Sequence, residues 1–161
     1  MSWRLCAFVL LVAPPVSGAL AATVSCPDLA AAVQVAACPG EEELKYTFTG
    51  FCSDNARMYS KDADLCTDYQ RYRRVKNIAL WESRDGAFQA YLSCDLLAAS
   101  VKAAKASAIT IAKKGSITQL VCAYGEGLTF TSRVRAECTV DAQVNCAAAS
   151  ETSAACAASC E

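Results

Sequence analysis

The 161-residue sequence contains no histidine, and its 15 Lys and Arg nearly balance its 16 Asp and Glu. Histidine is the side chain that most often transfers protons near neutral pH and most often binds metals. Its absence excludes proton transfer by histidine and metal sites with histidine ligands. A net charge of −1 argues against general or sequence-specific nucleic-acid binding, because phosphate contacts need a basic excess. The low charged fraction, 19%, and the high apolar fraction, 54%, exclude a disordered chain. The length fits one domain.

Long apolar runs are also scarce, and the clearest one opens the chain. Residues 1–21 have the features of a secretory signal peptide: Arg4 supplies positive charge, residues 5–13 are apolar, and Ala19-Leu20-Ala21 offers a cleavage site. A membrane anchor is the alternative, but a span needs about 20 apolar residues and this run has roughly half of that. We therefore expect a secreted product, extracellular or periplasmic, with no transmembrane segment after signal removal.

Cysteine, in contrast, is abundant, with eleven residues. Removal of Cys6 with the signal leaves ten, and an even set in an exported chain predicts a disulfide framework. A lipoprotein with lipid on Cys26 is the alternative, but it would leave nine cysteines, so the even count favours an unlipidated product. The predicted disulfide-forming residues are Cys26, Cys38, Cys52, Cys66, Cys94, Cys122, Cys138, Cys146, Cys156 and Cys160.

The sequence has no Cys-x-x-Cys pair, the spacing typical of zinc sites and thioredoxin-like redox centres. The nearest spacing is Cys156-x-x-x-Cys160, whose Cα atoms would lie about 6 Å apart on a helix. A calcium loop is hinted at by Asp62, Asp64 and Asp68, but no glycine or closing glutamate follows at the required positions. We expect no cofactor and no metal.

Hydrophobic patterning predicts an α+β fold: a single β-rich domain with a twisted antiparallel sheet or meander, two short helices and disulfide cross-links. The predicted domain covers residues 22–145, and an Ala-, Ser- and Cys-rich tail, 146–161, is expected to be attached to it by its cysteines. The expected helices are 28–37 and 95–106, the latter capped by Asp95; the expected strands are 44–52, 77–83, 87–94, 108–113, 117–124 and 128–140, with a loop over 53–68.

Strand alternation also makes specific predictions about the cysteines. A hairpin centred on Glu126 places Cys122 opposite Phe130 on a buried face and far from Cys138, so a Cys122–Cys138 bridge is not expected. Cys52, Cys94 and Cys138 fall on the apolar faces of their own strands, which would direct four cysteines, with Cys122, into one core. Cys26 and Cys38 flank the first helix and should not pair with each other, because that helix would hold them about 18 Å apart.

The strongest local charge signal is the basic, aromatic segment 69–76. Alternating aromatic and cationic side chains can hold a polyanion, such as a glycan, a nucleic acid or a membrane surface. The alternative is a solvated helix or edge strand, neutralised by the aspartates that precede it. The candidate binding residues are Tyr69, Arg71, Tyr72, Arg73, Arg74 and Lys76.

A short pattern is similar to one in small uncharacterised periplasmic bacterial proteins. It consists of Cys122-Ala123-Tyr124, the following Gly125 and Gly127-Leu128, a late Cys138 and an earlier Trp81, and it covers about residues 77 to 140. The resemblance implies a β-meander that a C-x-Y strand and a late cysteine end, with no assigned activity. The cysteine-rich tail also resembles small secreted proteins of eukaryotic microbes, including host-interacting effectors.

The leading expectation for function is a secreted or periplasmic, disulfide-stabilised, non-enzymatic binding module that acts on an envelope, host or hydrolase partner, either protein or glycan. One alternative is binding to a polyanion, glycan or membrane surface through segment 69–76. Another is a small carboxylate-dependent hydrolase. An enzyme is the less favoured class, because the acids are scattered and mostly near turns: Glu82, Asp85, Asp95, Glu126 and Glu137.

Overall fold

A computed structural model describes residues 21–125, 127–140, 146 and 156–161. The strands are β1 (Ala22–Ser25), β2 (Val33–Gln34), β3 (Ile78–Glu82), β4 (Gln89–Ser93), β5 (Ala108–Lys114), β6 (Ile117–Ala123), β7 (Thr129–Val134), β8 (Cys138–Thr139) and β9 (Ala157–Cys160). They form two antiparallel sheets, one with the order β2-β3-β4-β7-β6-β5 and one with the order β1-β9-β8. This β-rich α+β architecture confirms the predicted fold class. The predicted signal peptide lies almost wholly outside the described residues.

The helices are short and lie mainly between the second and third strands. They are α1 (Glu41–Phe51), α2 (Ala63–Cys66), α3 (Tyr69–Lys76) and α4 (Ala98–Ala103), with a 3₁₀ turn over Leu29–Ala31 and a π-helical turn over Arg57–Lys61. The helices α1, α2 and α3 form a helical segment with its own small apolar centre, in which Leu44, Cys52, Cys66 and Tyr72 are buried.

Both predicted hairpins are present. In the first, Trp81 lies opposite Ala90, and the turn between the two strands contains Asp85 and Gly86, with Gly86 at a φ of +71° that glycine adopts readily. In the second, Cys122 lies opposite Phe130, and both side chains are fully buried. The predicted register of this hairpin is therefore confirmed.

The predicted strand over 44–52 is wrong, because these residues form most of α1. Three glutamates, Glu41 to Glu43, occupy the first turn, where the positive end of a helix favours acidic side chains. Leu44, Phe48 and Phe51 recur at helical spacing and turn toward Tyr72 of α3. Apolar residues at positions 44, 46 and 48 fit the two-residue alternation of a strand, and those at 44 and 48 also fit the spacing of one face of a helix. Packing against α3 favours the helix.

The predicted helix over 28–37 is also wrong. Asp28 caps only a single 3₁₀ turn, accepting from the Ala30 N–H, and the chain then extends into β2. There Gln34 pairs with Trp81 of β3, so pairing with the sheet edge replaces helical hydrogen bonds. The helix predicted over 95–106 is present but shorter, over Ala98–Ala103, and Asp95 does not cap it.

The predicted last strand, 128–140, is divided between the two sheets. Its first part, β7, pairs with β6 and ends at Val134; its last part, β8, pairs with β9. Alternate side chains point inward all the way from Phe130 to Val140. The alternation in the sequence therefore does not show that the chain passes from one sheet to the other. The tail therefore adds a strand, in which Cys160 lies, while Cys156 lies at a bend directly before it, so the two cysteines do not share a helix.

The described cysteines form five disulfides: Cys26–Cys122, Cys38–Cys94, Cys52–Cys66, Cys138–Cys160 and Cys146–Cys156. Cys122 and Cys138 do not pair, and neither do Cys26 and Cys38, as predicted. Cys26 is linked to Cys122, so no sulfur remains there for a lipid. The expectation that four cysteines enter one core is wrong for two of them. Cys52 follows α1 and pairs with Cys66 of α2, and Cys94 follows β4, is only partly buried and lies outside the main core.

The main core lies on one face of the six-stranded sheet and is covered by the three-stranded sheet, the 3₁₀ turn and α4. Trp81, Phe88 and Phe130 are buried in it, and for Phe130 this is the face predicted from the hairpin register. Two disulfides, Cys26–Cys122 and Cys146–Cys156, contribute buried sulfur to the same core. The sheets and the covering elements are thus held together by both apolar packing and covalent links.

Candidate functional site

The segment predicted to bind polyanions forms helix α3, and its two tyrosines serve the fold. Asp68 caps the helix by accepting from the N–H groups of Gln70 and Arg71. Tyr72 is buried and makes an edge contact with Phe48, with 5.1 Å between ring centroids. Tyr69 makes a similar contact with Phe48, and its hydroxyl donates to Glu41 Oε1 at 2.7 Å. Neither ring is thus left as an open platform for a ligand.

Arg73 is engaged by two carboxylates from outside its own helix. Its guanidinium lies 3.1 Å from Glu41 Oε2 and 3.3 Å from Asp95 Oδ2, and Asn77 also donates to Asp95. The hydrogen bonds to Asp95 and Glu41 raise the pKa of Arg73 above its usual value. The pKa of Glu41 is lowered, first by the hydrogen bond from Tyr69 and then by that from Arg73. This group ties α1 and α3 to the end of β4.

The remaining cations of the segment are exposed. Arg71 lies 3.5 Å from Asp64, while Arg74 and Lys76 extend to the surface. The Lys76 Nζ lies 5.1 Å from the centroid of the Phe51 ring, and the guanidinium carbon of Arg57 lies 4.2 Å from the same centroid. The fold thus brings Arg57, from outside the predicted segment, close to Lys76. Only the packing of α1 against α3 could have revealed this pair.

Acidic side chains of the described residues mostly hold local structure. Asp85 accepts from Ser83 and from the Ala87 N–H in the first hairpin turn, and these bonds lower its pKa. The pKa of Glu137 is lowered by its contact with Lys113. Lowered values are opposite to what a general acid requires. Glu82 accepts from Gln89, and Glu126 lies outside the described residues.

Metal-binding side chains do not gather anywhere in the ranges that the structure describes, where no group of three or more His, Cys, Asp or Glu is placed to hold an ion. Of the three aspartates considered for calcium, Asp64 faces Arg71 and Asp68 caps α3, so these two carboxylates are already engaged elsewhere.

An apolar pocket of about 310 Å³ lies between α4 and the turn that joins β6 to β7. We call it the α4 pocket. Its lining residues are Leu96, Ser100, Val101, Ala103, Ala104, Tyr124, Gly125 and Leu128. Two consecutive leucines precede α4, and both are exposed, Leu96 by 47% and Leu97 by 73%. Exposed leucines beside an apolar cavity mark a surface suited to binding.

Both walls of the α4 pocket lie close to disulfides. Leu96 follows Cys94, which is linked to Cys38, by two positions, and Tyr124 follows Cys122, which is linked to Cys26, by two positions. The Tyr124 hydroxyl donates to the Pro27 carbonyl at 2.6 Å. Burial, and to a lesser degree the charge of Asp28, raises the pKa of Tyr124, so the hydroxyl remains protonated. The Tyr124 side of the pocket is therefore anchored by a hydrogen bond and by a nearby disulfide.

Sequence reasoning did not find the α4 pocket. The one available signal was the pair Leu96-Leu97, two large apolar residues next to each other between a cysteine and an alanine-rich helix. Leu92 and Val101, which are near this pair in the sequence, are buried. The sequence alone therefore does not indicate that Leu96 and Leu97 are exposed.

Comparison with known proteins finds no match for this chain among protein-family models, curated proteins or solved structures. Within the described residues, no helix has the length and apolar character needed to cross a membrane. The abundant disulfides fit an oxidising compartment.

Proposed function

We propose that the mature chain is an exported, non-enzymatic binding module that receives an apolar side chain of a protein partner in the α4 pocket. The single observation that carries the proposal is the pocket itself, with the exposed Leu96 in its lining and the exposed Leu97 next to it in the sequence. Apolar side chains seated in fully desolvated pockets contribute most of the binding energy at protein interfaces.

The size and lining of the α4 pocket favour an apolar group over a sugar. Its volume of about 310 Å³ lies at the lower end of the range for ligand sites, enough for one or two side chains. The Tyr124 hydroxyl, a polar group that could bind a sugar, already donates to Pro27. Most of the other lining residues are aliphatic or alanine.

Rigid walls support the same proposal. A pocket that is already formed loses less conformational entropy on binding than one that must be ordered by its ligand. The disulfides Cys38–Cys94 and Cys26–Cys122 fix the chain on both sides of the pocket. Export is supported by residues 1–21, by the even cysteine count and by the bridges themselves.

The proposal is tested with two tryptophan variants on α4. Ala103 lines the pocket, whereas Ala99 is exposed on the same helix and does not line it. Ala103→Trp should fill the pocket and Ala99→Trp should leave it open. Oxidised mature protein of each type is immobilised and exposed to envelope and extracellular extracts, and a reduced and alkylated sample serves as the control for the fold.

A partner that binds through the pocket is retained by the unmodified protein and by Ala99→Trp, and is lost with Ala103→Trp and after reduction. Titration of the purified partner should give an affinity at least about tenfold weaker for Ala103→Trp, the effect of excluding one buried apolar anchor. Equal retention by Ala103→Trp and Ala99→Trp would contradict the proposal.

A second candidate is polyanion binding by the cations around Phe51. The observation that favours it is the approach of Arg57 and Lys76 to the same ring, with Arg74 exposed nearby on α3. Replacing Arg57 and Lys76 together by Glu should abolish salt-dependent retention on heparin or on acidic vesicles. The matched control replaces Lys45 and Lys102, both exposed and outside the group, by Glu. Equal loss in both double variants would indicate only a net-charge effect.

A further inference from the structure

The longest free strand edge of the described residues belongs to β5. This seven-residue strand ends the six-stranded sheet and pairs with β6 on one side only. The opposite end of that sheet, β2, has two residues, as does β8 at one end of the smaller sheet. Short edges resist pairing with other chains, whereas a long free edge presents a row of N–H and C=O groups that can extend the sheet.

Five of the seven residues of β5 read the same in both directions around Thr110. Residues 108–112 are Ala, Ile, Thr, Ile and Ala. An antiparallel strand that meets its own copy across a two-fold axis pairs each residue with its mirror position. With the axis at Thr110, Ile109 of one copy faces Ile111 of the other, and Ala108 faces Ala112.

The hydrogen-bonding register of β5 fits this axis. Lys114 and Ile117 flank the two-residue turn into β6, so they form a hydrogen-bonded pair, and every second residue back along β5 bonds to β6 in turn. The N–H and C=O groups of Ile109 and Ile111 therefore point toward the free edge. Pairing around Thr110 brings these two residues together as a hydrogen-bonded pair.

Side-chain burial is consistent with a continuous sheet. Ile109 is buried on the core face, opposite Cys122, whereas Ile111 is only partly buried. Residues that are directly paired across strands point to the same face. In the paired arrangement, Ile109 of one copy would cover Ile111 of the other, adding apolar contact beside the existing core.

The charge of Lys113 does not oppose this register. The two lysines at the end of β5 are the residues that usually protect an edge, and Lys113 lies 2.6 Å from Glu137. In the two-fold arrangement Lys113 faces Ser107 of the other copy, and the two Lys113 side chains are six residues apart along the ladder, about 20 Å. This distance exceeds the screening length of about 8 Å at physiological salt.

We propose that the protein forms a two-fold dimer by antiparallel pairing of β5 with β5 of a second copy, centred on Thr110. This interaction is independent of the α4 pocket. One paired strand per subunit buries less than the roughly 1,200–2,000 Å² of stable interfaces, so the dimer is concentration-dependent.

The test uses sedimentation velocity over a range of concentrations with variants at the axis. Thr110 is exposed, and Thr110→Lys or Thr110→Glu places like charges opposite each other in the dimer. The dissociation constant of each variant alone should be at least about tenfold higher than that of the unmodified protein. An equal mixture of the two should recover association, because Lys then faces Glu. The matched control is Thr129→Lys, at an exposed position of the interior strand β7, which should associate as the unmodified protein does.

The mixture separates a lost interface from a lost fold, since misfolded chains would not be rescued by mixing. A monomer at every concentration in the unmodified protein would overturn the proposal. So would association that neither Thr110 variant weakens, which would place the interface elsewhere on the chain.

Discussion

Arg73 of α3 lies 3.3 Å from Asp95, which follows β4, and the two residues connect the helical segment to the main sheet. The same guanidinium reaches Glu41 of α1, so one side chain joins three parts of the fold. Arg73, which the sequence predicts as a polyanion-binding residue, is therefore paired with two carboxylates of the protein itself.

Removal of Arg73 should lower stability more than removal of its exposed neighbour. Arg73→Ala leaves Glu41 and Asp95 without their shared cation, whereas Arg71→Ala breaks one exposed ion pair with Asp64 that contributes little. We expect a clear drop in the urea midpoint for Arg73→Ala, several-fold larger than for Arg71→Ala. Arg73→Lys should recover only part of it, because an ammonium cannot present two parallel donors. Equal midpoints for Arg73→Ala and Arg71→Ala would show that Arg73 does not connect the segments.

The disulfides should differ in what their loss costs. Cys26–Cys122 spans 96 residues and Cys52–Cys66 spans 14. In the loop-entropy description, replacing both cysteines by alanine lowers the free energy of unfolding by about 5 kcal/mol for a loop near 100 residues and about 3 kcal/mol for one near 15. Denaturant unfolding of the two double variants measures this difference. A larger loss for Cys52–Cys66 would mean that Cys26 and Cys122 are not linked in the folded protein.

Acid should weaken the fold partly through Glu41. Hydrogen bonds from Tyr69 and Arg73 lower its pKa in the folded state below the ordinary 4.5. A lowered folded pKa contributes stability that is complete above the unfolded value and is lost as the pH falls through the folded value. The unfolding free energy should therefore hold from pH 7 to about 5 and decline below 4.5, and Glu41→Gln should make that decline shallower.

The control for the acid prediction is Glu42→Gln, at the exposed position next to Glu41 in the same helical turn. It should leave the decline as it is in the unmodified protein. Equal slopes for Glu41→Gln and the unmodified protein would show that the Tyr69 and Arg73 contacts do not form in solution.

Local sequence signals were sufficient where a turn and strong alternation act together. The Asp-Gly turn at residues 85–86 and the glycines around Glu126 defined both hairpins, and the second placed Cys122 opposite Phe130. The even number of cysteines predicted a disulfide framework. The register of the second hairpin predicted that Cys122 and Cys138 do not pair with each other.

The remainder depended on contacts between distant residues. Leu44 and Phe48 fit a strand or a helix, and only the rings of α3 decide between them. Val33 and Gln34 form a strand because they pair with the edge of β3. The local sequence around residues 33–34 does not indicate this pairing. The α4 pocket joins residues near position 100 with residues near 125, so neither stretch alone indicates it.

Peptide mapping of the oxidised protein, taken from its natural compartment and digested without reduction, tests whether the ten cysteines of the mature chain form the five disulfides of the structure. We expect cross-linked peptides for Cys26–Cys122, Cys38–Cys94, Cys52–Cys66, Cys138–Cys160 and Cys146–Cys156, with no alkylatable thiol in the mature chain. Several free thiols, a bound metal ion, or a Cys122–Cys138 peptide would contradict this expectation.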